Sequence, residues 1–169
     1  MSHWQCLAFN ELSPHLLYQI LQARTEVFVV EQQCVYQDID GKDAAALHLC
    51  AWVGSGQPTA ADTADNIETA EVPQLLAYAR ILAPGVSFDD ASIGRVMTTR
   101  AGRRQKLGRE LMQRAMDTVA KHYPGQAITI GAQHYLLNFY QSLGFKPVSP
   151  VYDEDGIDHI DMRYTPKPE

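Results

Sequence analysis

No run of apolar residues in this chain approaches the ~20 needed for a membrane-spanning helix. The first residues, Met1 to Gln5, hold neither a basic stretch nor an apolar one, so no secretory leader is expected. Positive charge is scarce as well. Fourteen Lys and Arg stand against 20 Asp and Glu, a net charge of −6, which argues against general binding to nucleic acid or to an anionic membrane. Cysteine is limited to Cys6, Cys34 and Cys50, an odd number without metal-ligand spacing. That excludes a disulfide framework and predicts buried, reduced thiols in a cytoplasmic protein. No His-Glu-x-x-His is present, and no metal is expected. Two phosphate-binding spellings are also missing: the P-loop Gly-x-x-x-x-Gly-Lys-Ser/Thr and the dinucleotide Gly-x-Gly-x-x-Gly.

What is present is a chain of 169 residues, 46% of them hydrophobic, which predicts one domain over 1–169. A chain of this length buries roughly two-thirds of its unfolded surface. Trp4–Phe9 reads as a strand. Ser13-Pro14 is a helix start, with Ser13 as N-cap and Pro14 at the first helical position. Leu16, Leu17, Ile20 and Leu21 continue it as a helical stripe, and a further helical turn is expected from Thr25 to Val30. Asp38–Asp43 reads as an acidic turn. Leu47–Val53 and Gln74–Leu82 read as paired strands. Between them 54–73 is rich in Gly, Ser, Thr, Ala, Asp and Pro, the composition of a long, flexible loop insertion. Ile93–Thr99 is a strand, Leu107–Lys121 an amphipathic helix, and Tyr123-Pro124-Gly125 its stop. Ala127–Gly131 is a short strand and Tyr135–Leu143 a helix ended by Gly144. Phe145–Val151 and His159–Tyr164 read as strands around a turn at Asp153–Asp158. The order predicts an α+β fold with a mixed, mostly antiparallel central sheet flanked by helices.

One segment stands out in this acidic chain. Arg100, Arg103, Arg104, Lys106 and Arg109 crowd the turn between the strand ending at Thr99 and the following helix. A helix N-terminus presents unpaired N–H groups and the positive end of the macrodipole, a ready site for phosphate. Concentrated cationic charge at that point suits a polyphosphate ligand.

The spelling Arg103-x-x-Lys106-x-Gly108 resembles the Gln/Arg-x-x-Gly-x-Gly/Ala pyrophosphate loop of the GNAT N-acetyltransferases, with Lys106 in place of the central Gly. Tyr140-x-x-x-Gly144-Phe145 resembles the Tyr-x-x-x-Gly-Phe of the family's next helix–strand unit. Arg24–Gln32, Tyr36–Gly41 and Glu154–Ile160 resemble segments of the family's ElaA-like group, as does the Lys-for-Gly exchange at 106. The likeness covers about the whole chain outside the 54–73 loop. It implies the GNAT fold, acetyl-CoA as donor and a primary amine as acceptor.

By that resemblance the pantetheine would lie along Val96, Met97 and Thr98, where the N–H groups of Val96 and Thr98 polarise the thioester carbonyl. The pyrophosphate would sit on the amides of Arg104 to Arg109, with Arg103, Arg104, Gln105, Lys106, Leu107, Gly108 and Arg109 forming the loop. Gln133 stands where many members have a cofactor-contacting Asn. Tyr140 would be the general acid for the leaving thiolate. Glu31, Asp38, His48 and His159 are candidates for the general base, with Glu31 and His159 the chosen pair. Glu26, Glu31, Asp38, Asp40 and Asp43 could form an acidic rim attracting a cationic amine. Direct attack without a covalent enzyme intermediate is expected, against an acyl-enzyme at Cys34 or Cys50. The acceptor is expected to be a small-molecule or peptide amine, and a homodimer is common in such proteins. The alternative is a non-catalytic CoA-binding or protein-interaction module on the same fold.

Overall fold

The computed structural model describes residues 2–54 and 73–167. The expected loop therefore lies, apart from Gly54 and Pro73, outside the described residues. Its flanks pair directly, as Val53 faces Gln74.

Among the described residues eight strands form one sheet: β1 (His3–Ala8), β2 (Leu47–Val53), β3 (Gln74–Leu82), β4 (Ala91–Thr98), β5 (Ile128–Gln133), β6 (Lys146–Pro147), β7 (Tyr152–Glu154) and β8 (Ile157–Tyr164). Their order is β1-β2-β3-β4-β5-β8-β6, with β7 also on β8. Every pairing is antiparallel except β4 with β5. This is the mixed, mostly antiparallel sheet that the sequence predicts.

Helices cover both faces. α1 (Pro14–Arg24) starts at Ser13, whose hydroxyl accepts from Leu16 N–H at 3.2 Å. It runs straight on as a π-helical segment, Thr25–Glu31. α3 (Gly108–His122) buries Leu111, Met112, Ala115, Met116 and Val119 against the other face. The alternation along β2 serves both: Leu49 and Ala51 pack on the α3 side, Cys50 and Trp52 on the α1 side. The short α2 (Arg100–Arg103) is capped by Thr99 and lies on β3. A Cβ on Gly102 would stand 2.0 Å from the carbonyl oxygen of Leu76, so only glycine fits there.

Three expectations change. Phe145–Val151 forms only the two-residue β6, because Pro147 and Pro150 bring no N–H to a ladder. Tyr135–Leu143 divides into a 3₁₀ turn, His134–Leu136, and α4 (Leu137–Gln141). Cys6 is exposed on the edge strand β1, while Cys34 and Cys50 are buried; all three are unpaired.

Beneath the π-helical segment lies an ion-pair network. Arg24 has no exposed surface. It donates from Nε to Asp38 (2.8 Å), from one terminal nitrogen to Asp43 (2.7 Å) and from the other to the Asp38 carbonyl (3.0 Å). Arg80 on β3 grips Asp40 through two bonds of 2.7 Å and also reaches Asp43 at 3.0 Å. Arg95 on β4 donates to Asp38 at 2.6 Å. Three cations balance three carboxylates. His48 adds a neutral link: Nε2 lies 2.9 Å from the Asp43 carbonyl and must donate, so Nδ1 accepts from the Tyr78 hydroxyl at 2.8 Å.

Asp38 and Asp43 are therefore scaffold, not a charged rim for a substrate amine, while Asp40, neutralised by Arg80, lies along the cleft. His48 is sealed in the core, and neither it nor Asp38 lines the cleft. Both lose their candidacy as general base.

Removing one partner of such a network strands the others in a poorly solvated place. Arg24→Ala is expected to cost about 3–5 kcal/mol in denaturant unfolding. Acid should weaken the fold in two stages. Burial holds the His48 pKa below its ordinary 6.5, outweighing the Asp43 carbonyl bond. The unfolded chain then takes up a proton that the folded one refuses, and stability falls as pH drops below 6.5. Asp40 and Asp43 are held below the usual carboxylate range: burial would raise both, but Arg80 and Arg24 bonds outweigh it. Their contribution is intact above about pH 4 and is lost as pH falls further. Unfolding curves between pH 7 and 2 check both stages, and His48→Gln should remove only the first.

Candidate active site

β4 and β5 pair only at Ala91–Ile128 and Ser92–Thr129, and then they part. The fork opens a cleft of about 920 Å³, within the ordinary size for a small-molecule site. Its cause is local. On the β3 side the register skips between Tyr78–Met97 and Arg80–Gly94, so Ala79 alone faces both Arg95 and Val96. This β-bulge puts Arg95 in the left-handed region with a φ of 52°.

The fork leaves main-chain donors on the cleft side of β4. Thr99 N–H donates to Leu76 on β3 at 2.9 Å. Strand alternation then turns the N–H groups of Thr98 and Val96 the other way, toward the gap. Val96, Met97 and Thr98 line the cleft.

The basic turn sits at one end. Gln105 and Lys106 use their amides on carbonyls of α2, at 3.0 and 3.4 Å, so the expected phosphate cradle narrows. The first α3 amide to find a partner inside the helix is Leu111, at 2.8 Å from Leu107 O. The N–H groups of Gly108, Arg109 and Glu110 precede it at the open end of the helix. Arg103 and Gly108 line the cleft. Arg104, Gln105 and Lys106 are exposed on the turn, and Leu107 is buried in the core. Arg109 is occupied: it donates to Ser142 Oγ at 2.7 Å and lies 5.8 Å over the Phe139 ring. Lys106 has a φ of 54°, so the position keeps the left-handed backbone that suits glycine.

Tyr140 on α4 is 6% exposed and lines the cleft between Phe139 and Phe145. Its hydroxyl makes no hydrogen bond among the described residues and is not among the sealed polar atoms. Burial, with Tyr135 adding to it, pushes its pKa up to about 12. Gln133 ends β5, and its amide donates to Gln32 on the opposite wall at 3.1 Å. Glu31, on the π-helical segment, is ion-paired with Arg103 across the mouth.

His159 on β8 also lines the cleft. Its Nδ1 is 2.8 Å from the Ile157 carbonyl and must donate there. Nε2 is thus the basic nitrogen of the neutral ring, 3.4 Å from Glu154. The ring stacks on Tyr152. Sequence reading missed Tyr152 and Glu154 as cleft residues, although a signal existed. Asp155-Gly156, with φ of 53° and 84°, is a two-residue hairpin turn, and it sets Tyr152 opposite His159. Arg95 was missed as well; its one sign was a charge inside an otherwise uncharged strand.

The two buried thiols are not activated. Burial raises both pKa values, and Cys34 donates to the Asp155 carbonyl at 3.3 Å.

A family model described as acetyltransferase (GNAT) domain matches residues 71–166. Protein ElaA of Escherichia coli strain K12 is 43% identical over 164 residues, covering 96% of this chain and 95% of that protein. The chain belongs to the GNAT acyltransferase family, in its ElaA-like group. The crystal structure of Escherichia coli ElaA matches this GNAT protein with a TM-score of 0.79 at 42% identity, over 97% of this chain and 99% of the other. An acyl-CoA N-acyltransferase from Pseudomonas aeruginosa matches with 0.81 at 38% identity, over 96% and 99%. The GNAT fold expected from the motifs is thereby the observed one.

Within this GNAT chain, Lys106 carries the cost of a left-handed residue with a side chain, roughly 1–2 kcal/mol. Lys106→Gly is expected to stabilise the fold by about 1 kcal/mol in urea unfolding, less than the full cost because glycine frees the unfolded chain.

Proposed function

We propose that this protein is an acetyl-CoA-dependent N-acetyltransferase acting on a primary amine by direct attack. The observation that carries the reading is the forked cleft: unpaired strand donors on one wall, a helix N-terminus at one end, and an unbonded phenol between them. That arrangement fits an acyl thioester with a pyrophosphate tail, and bound acetyl-CoA would supply the activated acyl group.

The remaining roles fall to residues of the chain. Val96 and Thr98 N–H donate to the carbonyl oxygen as negative charge develops there, a term worth a few kcal/mol of barrier in such sites. The α3 amides at Gly108, Arg109 and Glu110 hold the pyrophosphate, with charge from Arg103, Arg104 and Lys106. Gln133 orients the cofactor from β5. Tyr140 gives its proton to the departing thiolate. The acceptor amine arrives mostly protonated, with an ordinary pKa near ~10.4. His159 Nε2 takes that proton, and Glu154 steadies the imidazolium that results. Glu31 closes the mouth from the acceptor side and is the second candidate for the base. The unactivated state of Cys34 and Cys50 favours direct attack over an acyl-enzyme.

Thermal melts with acetyl-CoA, CoA and ATP test the donor site. Acetyl-CoA at ~100 times its Kd should stabilise the protein by about 2.7 kcal/mol, with CoA close behind and ATP giving little. No shift at millimolar acetyl-CoA would refute the reading. Against an amine panel, Tyr140→Phe should keep that shift and lose about 10²-fold in turnover. With a Tyr140 pKa of about 12, the wild type should show no alkaline loss of its acid below pH 10 or so. A Tyr140→Phe variant with full turnover would remove Tyr140 from the chemistry.

A further inference from the structure

The bulge that opens the cleft is tied by its own side chain to the opposite, acceptor-side loop. Arg95 has a φ of 52°, a conformation that residues with a Cβ rarely hold. Its guanidinium donates to the Asp38 carboxylate at 2.6 Å and to the Asp38 carbonyl at 2.9 Å. It also lies 5.5 Å over the ring of Tyr36, whose hydroxyl donates to the same carboxylate at 2.8 Å. Asp38 is itself fixed by the buried Arg24. A flexible side chain held at three points fixes the backbone that carries it.

The next residue is Val96, whose N–H faces the gap. Resting on the acetyltransferase reading above, we infer that the Arg95–Asp38 clamp is a positioning device: it holds the left-handed bulge and so aims Val96 N–H at the thioester carbonyl. Arg95 lines the cleft, but its donors to Asp38 point its guanidinium at the loop rather than at a ligand. It acts through Val96 without touching the reacting atoms.

The clamp makes a specific prediction, because glycine adopts this φ without any clamp. Arg95→Ala loses the anchor and keeps the steric penalty. Arg95→Gly loses the anchor and the penalty together. The isotope-edited infrared band of the acetyl-CoA carbonyl reads the polarisation directly and needs neither turnover nor a known acceptor. In wild type the bound band should lie below that of free acetyl-CoA. In Arg95→Ala it should return toward the free position, and in Arg95→Gly it should stay near wild type. The melting temperature of Arg95→Gly should be no lower than that of Arg95→Ala, since only alanine keeps the penalty of this φ. Where an amine substrate is in hand, the Gly variant should turn over about tenfold faster than the Ala variant.

Arg95→Lys, which keeps the charge but not the two-point grip on Asp38, should shift the band in the same direction as Ala. It serves if the Ala variant does not fold. Equal bands in the Ala and Gly variants, whether both shifted or both unshifted, would overturn the inference. Both shifted would make the guanidinium a direct ligand contact; neither shifted would make it scaffold only. Failure of the wild type to bind acetyl-CoA would refute the acetyltransferase reading itself, and this inference with it. Binding without any dependence on residue 95 would refute the inference alone.

Discussion

The Arg24 guanidinium, buried without exposed surface at the end of α1, is the constraint on which the 36–43 wall of the cleft depends. A cation in that position is tolerable only with carboxylates in contact and its donors occupied. Asp38 and Asp43 supply the charge, so the chain between them must wrap around the helix end. Asp40 is carried along to meet Arg80 on β3. Apolar packing does little for this loop, whose Ile39 is exposed. Charge neutralisation gives it a single shape, and that shape sets Tyr36, Asp40 and Lys42 along the cleft.

The cleft itself comes from pairing that the sheet forgoes. Two strands that stayed hydrogen-bonded along their length would be more stable and would offer a ligand nothing. Here β4 and β5 join at two positions and then separate. The donors set free by the separation need a bound group or water in place of a strand. A parallel pair lends itself to such a break. The antiparallel β3 holds β4 on one side, and β8 holds β5 on the other, across its full length. Each wall of the fork is therefore held along its far edge by another strand, beyond the two positions where the walls meet.

Features that local physics dictates were legible in the sequence. Ser13-Pro14 starts α1, the apolar spacing from Leu107 to Val119 gives the buried face of α3, and Leu47–Val53 and Gln74–Leu82 are strands with the limits expected. The GNAT motifs fixed the fold because they mark the places where backbone geometry is unusual. What was illegible depends on distant partners. Asp38, Asp40 and Asp43 read as part of an acidic rim, because composition gives their charge but not the arginines that hold them; Arg95 is 57 residues from Asp38 in the chain. His48 likewise offered a suitable side chain, and only the fold shows both of its nitrogens occupied in the core. The strand over Phe145–Val151 shrinks to two residues because Pro147 and Pro150 remove ladder donors that the apolar residues around them cannot replace.

Lys106 and Arg95 pose the same physical question at two ends of the cleft. Both hold left-handed backbone where glycine would be easier. At each, the side chain brings something that glycine cannot. Lys106 adds a charge at a turn whose own amides are partly consumed by α2 carbonyls. Arg95 adds a guanidinium that reaches across to Asp38 and locks the bulge to the loop. The strain at Lys106 is borne by an exposed turn that can relax, whereas the strain at Arg95 is enclosed by β3, Tyr36 and the aspartates. A side chain at a left-handed position in a strand is destabilising taken alone. Coupled to a buried network it becomes a means of tying the bulge, and the amide that follows it, to the Asp38 loop by charge neutralisation as well as by backbone preference.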